Sequence, residues 1–121
     1  MLPPTVVIAQ NDLSIAQELT QDLFAHFNQV TAVRDIRQLR GLLSQNTPQV
    51  AVLDLELVGM EEVHRLSQAF QNLTVICTHR SPDERMWMES LKAGAVEFCH
   101  PQDIRSILRA ARGATTKASA A

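Results

Sequence analysis

The stretch QVAVLDLELVG, residues 49–59, decides how this chain folds. Val50, Ala51, Val52 and Leu53 form a continuous apolar run, as expected of a strand covered on both faces. A bare carboxylate, Asp54, then interrupts the run before Leu55 resumes it. An ionised side chain is costly to bury unless it is paired or bound to a cation. The surrounding chain should therefore supply a reason for Asp54.

Four further short β-type runs flank this one: TVVIA (5–9), QVTAVR (29–34), LTVICTH (73–79) and AVEFCHP (95–101). Helical patterns alternate with them. Ile15, Leu19, Leu23 and Phe27 recur at steps of four, with Asp12 or Ser14 as the cap. Ile36, Leu39 and Leu43 mark a second helix, and Met60, Val63, Leu66 and Phe70 a third. SPDERMWMESLKAGA (81–95) opens with Ser81 and Glu84 in capping-box spacing and Pro82 at the first helical position; Gly94 closes it. QDIRSILRAARG (102–113) supplies the last stripe, Ile104, Ile107, Leu108 and Ala111. Strand alternating with helix predicts a doubly wound α/β domain, a five-stranded parallel sheet with helices on both faces in three layers. The domain is expected over residues 1–113, with 114–121, small and polar, as a flexible tail or the beginning of a linker.

Composition narrows the function classes. A chain of 121 residues is the size of one domain, and 45% hydrophobic with 20% charged residues is ordinary globular composition. A net charge of -2 gives no general reason to expect nucleic-acid binding. No apolar run approaches the ~20 residues of a membrane span, and MLPPTVV lacks a signal-peptide n-region. Cys77 and Cys99 are too few for a disulfide scaffold. The expectation is a soluble cytoplasmic domain.

In open parallel sheets, ligands sit beyond the C-terminal ends of the strands, and Asp54 falls there on the third strand. Gln10, Asn11 and Asp12 follow the first strand, Thr78 and His79 the fourth, and His100-Pro101 the fifth. Through VVIAQNDLSI (6–15), VAVLDLEL (50–57), VICTHRSPDE (75–84) and KAGAVEFCHP (92–101), the chain resembles the receiver domain of two-component response regulators over residues 5 to about 112. The resemblance implies sheet order 2-1-3-4-5 and a phosphorelay role. Asp54 would accept a phosphoryl group from a histidine kinase or phosphotransfer protein, and Thr78 would contact the phosphoryl oxygens. His100 stands at the place of a phosphoryl-pairing lysine, and Phe98 is nearest to the family's switch aromatic. As a phosphoryl acceptor, the domain is not expected to be an enzyme with independent catalytic turnover. A downstream effector domain would carry its output.

The chain departs from that pattern where charge matters. The two acids that would hold Mg²⁺ after the first strand are replaced by Gln10 and Asn11. Asn11, Asp54 and Glu56 remain as a weak Mg²⁺ set, poor in the carboxylates that hard cations prefer. Two other readings stand beside phosphoryl acceptance. One is a pseudo-receiver recognised by partners without phosphorylation. The other is a small-molecule or metal-binding flavodoxin-like domain, which the absence of a glycine-rich loop after the first strand disfavours for nucleotides. The spacing of Cys77, His79, Cys99 and His100 fits no standard zinc pattern. The plainest role for Asp54 is a capping carboxylate.

The fourth helical pattern offers a surface. Met86 and Met88 lie about 200° apart on a helix, so one apolar stripe does not bury both. With Trp87, and with Arg105 and Arg109 on the last helix, they load the face of fourth helix, fifth strand and last helix with interface-type residues. Self-association as a homodimer, or partner binding, is expected there.

Overall fold

The apolar runs pair edge to edge while the amphipathic stretches cover both faces of the sheet they form. The computed structural model describes the backbone of residues 5–45 and 48–120, with side chains as far as residue 113. In chain order the elements are β1 (Thr5–Ala9), α1 (Leu13–Phe24), β2 (Gln29–Val33), α2 (Ile36–Gln45), β3 (Val50–Asp54) and α3 (Leu55–Val58). They continue with α4 (Met60–Ala69), β4 (Thr74–Thr78), α5 (Glu84–Lys92), β5 (Glu97–Cys99) and α6 (Ile104–Ala120). The strands are parallel, in the order β2-β1-β3-β4-β5, as expected.

β3 lies at the centre, and every one of its residues is buried. Alternation sends its side chains to two cores. Ala51 and Leu53 join Val7, Leu39, Leu43, Val63, Leu66 and Cys77 on the α2–α4–α5 side. Val50 and Val52 join Ile8, Leu19, Leu23, Ile76 and Ile107 against α1 and α6. The apolar stripes named from the sequence are thus the inward faces of their helices.

Three local readings change. A four-residue helix, α3, begins directly after Asp54, where the sequence pattern marked no helix. The cap of α5 is Asp83, whose carboxylate accepts from the Met86 amide at 2.8 Å, so Ser81 and Pro82 lie outside the helix. Asp83 has the extended backbone and the side-chain oxygen that a cap needs, two residues later than the capping-box spacing suggested. The α6 backbone runs to Ala120, beyond residue 113 where the sequence reading ended the domain. Asp12 caps α1, accepting from the Ser14 and Ile15 amides. Gly94 has φ of 115°, as a glycine closing α5 should.

Candidate functional site

The register of the sheet assembles the site. Asp54 and Thr78 are Cα partners at the ends of β3 and β4, and Gln10 follows the end of β1 on the other side. All three are buried, with Asp54 only 3% exposed. Asp54 is the N-cap of α3, its Oδ1 accepting from the Glu56 amide at 2.8 Å. Its Oδ2 accepts from Gln10 Nε2 at 2.9 Å and from the Thr78 hydroxyl at 3.3 Å. Three elements, β1, α3 and β4, therefore converge on one carboxylate, and each contributes an uncharged donor.

The orientation of the Gln10 carboxamide is fixed by its other end. Oε1 accepts from the Asp12 backbone amide at 2.9 Å. A backbone N–H only donates, so the oxygen must face Asp12 and the NH₂ must face Asp54. Sequence reasoning treated Gln10 as a missing acid; it is in fact the side chain that closes the cluster.

A charged layer lies outside this core. Arg80 forks onto Glu56 with Nε to Oε1 at 3.0 Å and Nη2 to Oε2 at 2.7 Å, and His79 Nε2 is 3.8 Å from the same carboxylate. The guanidinium holds the Glu56 carboxyl below its ordinary range. Arg80 is shifted up in return, chiefly by the Glu56 hydrogen bond and further by the charges of Asp54 and Asp12. Arg80 thus provides positive charge beside the acidic cluster. Sequence reasoning missed it, because an exposed arginine in a loop carries no positional signal.

The structure brings Asp54 and Thr78 together and places the other candidates elsewhere. Asn11 is exposed, and Glu56 turns its carboxylate to Arg80 while lending only its amide to Asp54. His100 accepts from the Gln102 amide through Nδ1 and lines a groove of about 470 Å³ with Pro82, Trp87, Phe98 and Asp103. Phe98 is buried in the core beneath that groove. Trp87 and Met88 are each 47% exposed, whereas Met86 packs against the core. Arg105 and Arg109 are exposed on α6 and line a separate hollow with Leu108. Cys77 and Cys99 are buried free thiols, each pushed up to about 12, first of all by burial, so neither is a ready thiolate.

The donor set does not fit Mg²⁺. Such an ion takes oxygen ligands, usually with one or two carboxylates. Here Gln10 points N–H at Asp54, and Glu56 is engaged by Arg80. Among the described residues, no group of three or more His, Cys, Asp or Glu converges as a metal site. Among the same residues, no helix is long and apolar enough to cross a membrane.

Comparison with known proteins places this architecture. No family model matches the chain. Among curated proteins, the Regulatory protein VirG of Rhizobium rhizogenes is 30% identical over 96 residues, 77% of this chain. The chain spans 40% of the length of that relative. Among solved structures, the receiver domain of a Francisella response regulator superposes with a TM-score of 0.84 at 21% identity, covering 95% of this chain and 98% of that one. The signal receiver domain of an HD domain-containing protein from Pseudomonas fluorescens gives 0.85 at 21% identity, covering 98% and 99%. Five parallel strands in the order 2-1-3-4-5, with an aspartate ending the central one, give this chain the flavodoxin-like fold of response regulator receiver domains.

Proposed function

We propose that the chain is a signalling receiver module of the two-component type that works through protein contacts as a pseudo-receiver, without needing a phosphoryl group on Asp54. One observation carries this reading. The Asp54 carboxylate is buried, and both of its oxygens are already taken by neutral donors. An attacking carboxylate needs a free lone pair and cations to offset the charge of the incoming phosphoryl group. Here neutral donors occupy three of the carboxylate's roughly four lone-pair sites, and the nearby guanidinium is shared with Glu56. No catalytic turnover is expected of such a module. Its partners would be a kinase-side or effector protein, or a second copy, met at the face of α5, β5 and α6.

A second reading has support of its own. The Thr78 hydroxyl on Oδ2 and the field of Arg80 are the groups that would meet a phosphoryl group on Asp54. Trp87, the single tryptophan of the chain, separates the two readings because it stands over the groove beside Phe98 and His100. Its fluorescence should not change when a small phosphodonor and Mg²⁺ are added. A saturable change that disappears in Asp54→Asn would favour phosphoryl acceptance instead.

A further inference from the structure

We infer that Gln10 is the residue that closes this pocket to divalent cations, its carboxamide donating a hydrogen bond to Asp54 from the side a metal would approach. The inference rests on the reading of Asp54 as a carboxylate satisfied without phosphorylation, and it names the side chain responsible. Gln10 is 4% exposed, and both ends of its amide are used, one by Asp54 and the other by the Asp12 backbone. The amide NH₂ thus lies within hydrogen-bond distance of the one buried carboxylate at the strand ends. A cation approaching Asp54 from β1 would meet a donor where it needs an acceptor, and displacing the amide would orphan the Asp12 N–H. The neutral donor also makes the arrangement indifferent to metal supply.

One isosteric change should reverse this. In Gln10→Glu the oxygen that accepts from Asp12 is kept, while the group facing Asp54 becomes an anionic oxygen. Two carboxylates at that separation do not both stay ionised alone; they share a proton or take up a cation. The test is calorimetric titration and thermal unfolding of the native protein and of Gln10→Glu, each with magnesium chloride and with calcium chloride. The native protein should show no saturable binding and no rise in Tm. Gln10→Glu should show saturable binding and a rise in Tm with either cation, because carboxylate count sets affinity at such sites.

Without cation, the variant's pH profile should also change. The pair's raised carboxyl pKa in the folded state means that stability is present at low pH and is lost as pH rises above about 4.3. Saturable binding by the native protein overturns the inference, as does a folded Gln10→Glu that gains no cation response. If Gln10→Glu is unfolded alone, refolding by Mg²⁺ supports the inference and failure to refold contradicts it. Phosphorylation of the native protein at Asp54 would instead overturn the underlying reading, whatever the titrations show.

Discussion

Asp54 holds three donors from three elements, so its value to the fold should be measurable. In Asp54→Ala the Gln10 amide, the Thr78 hydroxyl and the Glu56 amide all lose their acceptor. Unsatisfied buried groups cost about 1–3 kcal/mol each, less where water enters, so a loss of about 2–4 kcal/mol is expected by denaturant unfolding. A loss below about 0.5 kcal/mol would show that the cluster is not holding the strand ends. Asp54 was legible from the sequence because a bare carboxylate ending an apolar strand is conspicuous, whereas Thr78, an ordinary strand residue by itself, was marked by the resemblance. Gln10 was legible only as a departure, since its role depends on a hydrogen bond to Asp12 that spacing does not reveal. Arg80 left no trace, because surface arginines look alike until their partners are placed.

At the scale of elements, two contacts decide how the helices on one face are held. Glu62 of α4 is buried, forked by Arg40 of α2 at 2.7 and 3.0 Å and bonded by Arg65 at 2.9 Å. These guanidinium groups, Arg40 first, hold the Glu62 carboxyl below its ordinary value of 4.5. A depressed folded-state pKa gives stability that is present above the unfolded value and lost as pH falls through the folded one. The native protein should therefore weaken below about pH 4.5, and Glu62→Gln should flatten that slope. An unchanged acid limb in Glu62→Gln would assign the loss to other carboxylates.

The second contact joins the end of α5 to α4. A Cβ on Gly94 would lie 2.5 Å from Ser67 Cβ and Oγ, and φ there is 115°. Gly94→Ala should cost at least about 1–2 kcal/mol from the backbone alone. Ser67 Oγ, by contrast, is buried without a hydrogen-bond partner among the described residues. Ser67→Ala should be neutral or slightly stabilising in the same unfolding measurement. Helix existence was readable from apolar periodicity, whereas α3 and the Asp83 cap were not. A single turn has too few residues to show a period, and Ser81, Pro82 and Glu84 offered a competing start signal.

For the whole molecule, the parallel sheet followed from strand–helix alternation and its order from the resemblance to receiver domains, and the structure shows both. What covers its surface was less so. Trp87 and Met88 are exposed on α5, while Ser106 of α6 and Asp103 just before it, rather than Arg105 and Arg109, line the groove beside Trp87. Exposed aromatic and methionine side chains are typical anchors of protein interfaces. Trp87→Ala should reduce self-association or partner binding by more than the pair Arg105→Glu with Arg109→Glu. The arginine pair should not lower Tm greatly, since exposed charges contribute little to stability. Sedimentation at several concentrations checks the first expectation; weakening by the arginine pair and not by Trp87→Ala would move the contact onto α6.

The central claim is that Asp54 is a satisfied structural carboxylate and not a phosphoryl acceptor. Intact mass of the native protein after exposure to a small phosphodonor with Mg²⁺ tests it most directly. The mass should stay that of the unmodified chain, with the Asp54→Asn protein giving the same result. Gain of one phosphoryl group by the native protein, absent in Asp54→Asn, would contradict the account.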